Sequence, residues 1–191
     1  MTLYEEYLKS LGFPENIDDL YLQEFNIFNR VFDERGKSVS MYSWAILTEN
    51  VISQLKKYGP FLEIGSGNGY WAYEFKKRDI NIIATDPLPK NNWTDTDFIN
   101  GEAALNKYDD GKHTLLLCWP EYNKDWAYKT LNSFKGNTVV YVGEDGGGCT
   151  ADEQFHKLLH DSWERIDKIE IPQWPGVHDI VSVYRRDDIH V

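Results

Sequence analysis

The sequence predicts an α/β protein, a mostly parallel sheet with helices on both faces, preceded by helices and closed by an antiparallel hairpin. Three observations lead there. From Pro60 onward, short apolar runs alternate with amphipathic segments, the pattern of strand–helix units. One run, Phe61–Ile64, passes directly into three alternate glycines and then a helix. The last two strand-like runs are joined only by Pro172-Gln173-Trp174-Pro175-Gly176, too short for a crossover helix, so they are expected to pair antiparallel.

The elements follow in order. Tyr21, Phe25, Phe28 and Phe32 recur at helical spacing and define one apolar face, with Gly36 expected to end that helix. Leu47, Val51, Leu55 and Tyr58 share a second helical register, stopped by Gly59-Pro60. Strands are expected over 61–64, 81–85, 98–99, 114–119 and 138–142. Helices are expected over 70–78, through Ala103 and Leu105, and over 126–134. Thr150 and Glu153 have the spacing of a capping box that opens a helix running to about His160. The hairpin strands are 163–171 and 179–185. With no repeat, low-complexity tract or linker, the 191 residues read as one domain, 1–59 a helical segment and 60–191 the sheet-bearing core.

Composition bounds the function. With 41% apolar and 15% aromatic residues, the chain can bury a core and is not of the disordered class. Its 31 acidic against 20 basic groups leave a net charge of -11, which argues against nucleic acid as a partner, because phosphate contacts need clustered Lys and Arg. Two cysteines, Cys118 and Cys149, make no disulfide framework. The first residues lack a basic head and an apolar run, and no stretch approaches the roughly 20 apolar residues of a membrane helix, so a cytoplasmic protein without membrane partners is expected.

The sharpest motif is Glu63-Ile64-Gly65-Ser66-Gly67-Asn68-Gly69-Tyr70. Glycines there allow a tight turn and a close backbone approach to a ligand. The third position of a dinucleotide fingerprint is Tyr70 rather than Gly, and no Gly-Lys-Ser/Thr follows, so neither a dinucleotide site nor a phosphate-cradling loop is indicated. An acid at the strand tip suits a ligand that is cationic and lacks phosphate. S-adenosylmethionine has that chemistry. Asp86, at the end of the next strand, is placed to accept hydrogen bonds from ribose hydroxyls.

Residues 60–145 resemble the class I S-adenosylmethionine-dependent methyltransferases. A closer resemblance, to a little-characterised group of small methyltransferase-like proteins, extends over 40–186. It rests on Tyr42-Ser43-Trp44-Ala45, the glycine loop through Trp71-Ala72, Leu115–Pro120, Tyr141–Glu144, Gly148–Asp152 and Pro172–Asp179. The resemblance implies a Rossmann-like, doubly wound sheet of seven strands, order 3-2-1-4-5-7-6, with the seventh antiparallel. It implies that Glu63, Gly65, Ser66, Gly67 and Gly69 surround the methionine part of the cofactor. Asp86 would hold the ribose and Glu102 meet the adenine amino group. Cys118 would border the adenosine, and Trp44 belongs on the same side.

Methyl transfer depends mainly on holding the nucleophile near the methyl group in a dry site, with a base needed only if a proton must leave early. Candidates for that base are Glu144, and His178 with Asp179 as its orienting carboxylate. Amine-methylating enzymes often place Asn/Asp/Ser-Pro-Pro-aromatic after the fourth strand. Here the stretch is Trp119-Pro120-Glu121-Tyr122, so methylation of base amines is not indicated. Trp119, Tyr122 and Trp174, with Trp44, are expected at one aromatic rim that receives the acceptor, favouring an apolar or cationic one. The expected activity is methyl transfer to a small molecule or protein side chain. Two alternatives stand beside it: a non-catalytic cofactor-binding or scaffold module, and a nucleic-acid methyltransferase.

Overall fold

The computed structural model describes residues 1–13, 25–89 and 93–187, with the backbone alone for 25–30. Helix α1 (Leu3–Ser10) opens on Thr2, whose hydroxyl accepts from the Glu5 N–H while the Glu5 carboxylate accepts from the Thr2 N–H. Helices α2 (Phe25–Met41) and α3 (Glu49–Leu55) follow, and a 3₁₀ turn at Lys56–Tyr58 leads into the sheet. Then come β1 (Phe61–Ile64), α4 (Tyr70–Lys76), β2 (Ile82–Thr85), α5 (Gly101–Tyr108), β3 (Thr114–Cys118), α6 (Trp126–Ser133), β4 (Thr138–Gly143), α7 (Glu153–Ser162), β5 (Glu164–Ile169) and β6 (Ile180–Arg185).

The strands form a sheet of order β2-β1-β3-β4-β6-β5. β1, β2, β3 and β4 pair in parallel, while β6 runs antiparallel to both β4 and β5. The hairpin is therefore present. Four of the six residues of β5 are exposed, as befits an edge strand, whereas β1 and β4 are buried throughout. One apolar layer packs α1–α4 against Phe61, Leu116, Val140, Val181 and Val183. The other packs α5–α7 against Leu62, Ile64, Leu115, Leu117, Val139 and Tyr141. Alternation along each strand divides the two sets.

Several expectations change. The strand expected at 98–99 contracts to a single parallel bridge, Thr85 to Asp97, so the described sheet has six strands, not seven. Phe98 is exposed, and Asp97 is held from outside by Lys107 and Tyr108. Helix α2 continues through Gly36 to Met41, because Val31 and Ser38 bury on the same side, and a lone glycine costs only about 1 kcal/mol there. Phe25, Phe28 and Phe32 do share that helix; Tyr21 lies outside the described residues. The cap of α7 is Asp152, which accepts from the Phe155 N–H, rather than Thr150. Thr150 instead donates to the Glu144 carbonyl and accepts from the Glu144 N–H. A hydroxyl turned inward toward the β4 tip cannot also cap the helix.

The N-terminus is fastened to the core through one buried charge. Glu74, fully buried, accepts from the Leu3 N–H and the Tyr70 hydroxyl and pairs with Arg78. Arg78 in turn grips both oxygens of Glu49. Removing one member of a buried pair leaves the other uncompensated, so Arg78→Ala is expected to cost about 3 kcal/mol. Urea denaturation would show this as a lower midpoint at an unchanged slope.

Candidate functional site

The site begins at the central strand. β1 delivers Glu63 to its C-terminal end, where the carboxyl group is 1% exposed and its Oε2 has no hydrogen-bond partner among the described residues. Burial, reinforced by the charge of Asp86 and only partly offset by Lys76, pushes this carboxyl up to about 8. The loop then turns on glycines at positive φ. Gly65 at 78° lies under Trp126, whose ring an added Cβ would meet at 2.7 Å. Gly69 at 75° starts α4 without a side-chain cap. Gly67 at 57° faces open space, leaving its backbone approachable. The Ser66 hydroxyl beside it is buried and lacks a partner among the described residues.

Asp86 closes the loop from the next strand. Its Oδ2 accepts from the Gly67 N–H at 2.9 Å and its Oδ1 from the Leu88 N–H at 2.7 Å. Each oxygen keeps a further lone pair for a hydroxyl donor. The Gly65 and Ser66 N–H groups both donate to the Thr85 carbonyl, which ties the loop to β2. Glu102 sits exposed in the first turn of α5, behind the Asn100 cap.

The remaining groups gather along the same sheet edge. Cys118 ends β3, its thiol pushed well up by burial and then by the charges of Glu63 and Asp179. Trp119 follows at φ 51°, an uncommon conformation for a large side chain, and its indole N–H donates to Asp179 at 2.8 Å. Trp44 stacks on Trp119, with centroids 4.9 Å apart and planes 15° from parallel. Glu144, just past β4, accepts from the Cys149 N–H, the Cys149 thiol and the His178 N–H. Burial works to raise its pKa, yet those hydrogen bonds hold it below the usual carboxylate range. Gly148 makes this possible, since a Cβ there would lie 2.3 Å from that of Glu144.

Not every expected partner joins them. His178 and Asp179 do not form a base–carboxylate dyad. His178 is exposed with its ring 3.7 Å from Glu144, whereas Asp179 is buried on the Trp119 indole. Both lie in the loop just before β6, which turns His178 to solvent and Asp179 inward. Trp174 is not a rim residue. It is 1% exposed and donates to the Tyr4 hydroxyl, because α1 covers the hairpin loop. Tyr122 is exposed on the wall of a groove of about 990 Å³ between the Gly146–Gly148 turn and α7, none of whose lining residues belongs to the glycine loop.

Three further positioning residues emerge. Asn68 and Trp93 both donate to the Met41 carbonyl, at 3.0 and 2.7 Å, clasping the glycine loop to the end of α2. Ser43 accepts from the Trp71 indole and so holds the segment that carries Trp44. The polar residue inside the glycine loop was a usable signal for Asn68. A bond reaching from Trp93 back across 52 residues had none.

No protein-family model matches this chain, and no curated protein does. Among solved structures, Burkholderia thailandensis 1,6-didemethyltoxoflavin-N1-methyltransferase, with bound 1,6-didemethyltoxoflavin and S-adenosylhomocysteine, matches at a TM-score of 0.56 and 15% identity over 87% of this chain and 92% of that one. Streptococcus pneumoniae Sp1610, a candidate tRNA (m1A22) methyltransferase, matches at 0.49 and 11% identity over 76% and 72%. The first likeness shows the fold. This chain has the Rossmann-like architecture of the class I methyltransferases.

The raised Glu63 carboxyl has a measurable consequence. The folded protein holds this proton between the ordinary carboxylate value of 4.5 and about 8, while the unfolded chain has released it. Folding stability contributed by this group therefore falls as pH rises through that window. Thermal denaturation across it should show wild type losing ground to Glu63→Gln; a constant difference would contradict the assignment.

Proposed function

We propose that the protein is an S-adenosylmethionine-dependent methyltransferase acting on a small-molecule or protein acceptor. The observation that carries this is the buried Glu63 carboxyl, without a hydrogen-bond partner at Oε2 among the described residues, beside a glycine loop with an approachable backbone. A buried carboxylate calls for a counter-charge, and the cofactor brings a sulfonium and an ammonium without a pyrophosphate. When bound, it supplies an electrophilic methyl group.

The residues present fit that group. Glu63, Gly65, Ser66, Gly67 and Gly69 would hold its methionine part, with the Ser66 hydroxyl offering one more hydrogen bond. Asp86 retains lone pairs for the ribose hydroxyls. Glu102, exposed at the start of α5, is assigned to the adenine amino group and Cys118 to the adenosine; Trp44 is assigned to the cofactor side of the stack. Glu144, kept ionised by its three donors, is assigned to receive a proton from an acceptor. His178 is reassigned to holding Glu144 through its backbone N–H. No helix among the described residues is long and apolar enough to cross a membrane.

Isothermal titration with S-adenosylmethionine tests the proposal. Saturable binding is expected, and Asp86→Ala should weaken it at least tenfold. Because a cationic ligand favours ionised Glu63, binding near neutral pH should release a proton, and affinity should rise with pH until about 8. Absence of binding at millimolar ligand would overturn the reading. Binding without turnover over a broad acceptor panel would favour a sensor or scaffold instead.

A further inference from the structure

Of the seven tryptophans, all among the described residues, only Trp44 is exposed. Its neighbours in sequence are not. Tyr42, Ala45, Ile46 and Leu47 are buried, and Tyr42 stacks on both Tyr4 and Trp93. The Ser43 hydroxyl accepts from the buried Trp71 indole and donates to the Ala45 carbonyl, while the Leu47 carbonyl accepts from the Thr2 hydroxyl. The segment is anchored on both sides of Trp44, so the exposure of that ring is built into the fold.

Trp119 is fixed just as firmly. Its backbone stands at φ 51°, a conformation that a large side chain keeps only where its surroundings impose it. Two hydrogen bonds do so: the backbone N–H donates to the Val142 carbonyl and the indole N–H to Asp179, each at 2.8 Å. Trp119 directly follows β3, the parallel neighbour of β1, so it leaves the sheet at the same edge as Glu63 and the glycine loop. It packs against the apolar layer that includes Tyr70 and Trp71, the first residues after that loop.

The geometry of the pair selects among ligands. The ring planes are 15° from parallel with centroids 4.9 Å apart, so each indole covers one face of the other. An aromatic cage for an ammonium group needs several ring faces turned toward one point. Here the faces meet each other, and what remains is a flat apolar surface on Trp44, 43% exposed. A flat ring covers such a surface by offset stacking, whereas a puckered group of the same size touches it at fewer atoms. Trp44 lies on the side of the pair assigned to the cofactor, so a ring laid on it would stand next to the methyl group.

Resting on the methyltransferase reading, we infer that the methyl acceptor is a free planar aromatic or heteroaromatic molecule, its ring stacked on the exposed face of Trp44 and continuing the Trp44–Trp119 stack. The net charge of -11 favours a free ring over a base carried on a phosphate backbone.

The experiment uses the full chain saturated with S-adenosylhomocysteine, whose own binding is first established by calorimetry for wild type and each variant. Further titrations compare 2-naphthol, which is flat, with its saturated counterpart decahydro-2-naphthol, with cyclohexylammonium and with a single-stranded RNA hexamer. 2-Naphthol should bind at least fivefold more tightly than each of the others. Trp44→Leu, which keeps apolar bulk but removes the ring, should cut the preference for the flat over the saturated probe to less than twofold. Trp44→Tyr should retain most of it. Loss of apolar surface alone would weaken both probes alike and leave their ratio unchanged. If Trp44→Leu does not bind S-adenosylhomocysteine, nuclear Overhauser contacts between 2-naphthol and the Trp44 ring of wild type decide instead, and their absence contradicts the inference. A wild-type preference below fivefold, tighter binding of cyclohexylammonium or RNA, or a preference that survives Trp44→Leu overturns the inference while leaving the cofactor assignment standing. Failure of S-adenosylhomocysteine to bind wild type overturns both.

Discussion

A carboxyl group sealed from water must find a partner or give up its charge, and Glu63 is sealed without a hydrogen bond to its Oε2 from any described residue. Its position follows from the fold, since β1 lies between two parallel neighbours in the sheet and is buried throughout its length. An apolar side chain there would be easier to bury. The carboxyl makes physical sense as a preformed site for a cation, at the point where the glycine loop brings backbone close to whatever binds. Asp86 spans the loop, the Asn68–Met41–Trp93 clasp fixes it from above, and Trp126 fills the space beneath Gly65.

Neighbouring strand tips repeat the theme with different solutions. Asp179 is bonded to the Trp119 indole, and Glu144 is held by two backbone N–H groups and a thiol. The overall charge of -11 could reflect solvated surface alone. Placing Glu63 and Asp86 around the glycine loop gives part of that charge a chemical direction.

Much of this was legible in the residues. The strands from Phe61 to Val142, the antiparallel hairpin and the glycine loop follow from local patterns, because a buried parallel strand and a left-handed turn impose their requirements within a few positions. The site elements that went astray depend on distance. Trp174 has the composition of a loop anchor, but α1 covers it through Tyr4, a contact spanning 170 residues. His178-Asp179 suggested a dyad by adjacency, but the loop before β6 turns one side chain to solvent and buries the other. Thr150 fits a capping box in spacing, yet Glu144 captures its hydroxyl. The third strand failed for a different reason: two apolar residues make too short a run to sustain a ladder at an edge, and one bridge at Asp97 is what survives.

The measurement closest to the central claim is the titration of Glu63 itself, followed by carbon NMR of selectively labelled carboxyl groups, with Glu63→Gln to assign the signal. In the free protein its midpoint should lie near 8. Saturation with S-adenosylmethionine should lower it markedly, as a positive charge arrives beside the carboxylate. A midpoint in the ordinary carboxylate range near 4.5, or one that stays put when the cofactor binds, would contradict the account.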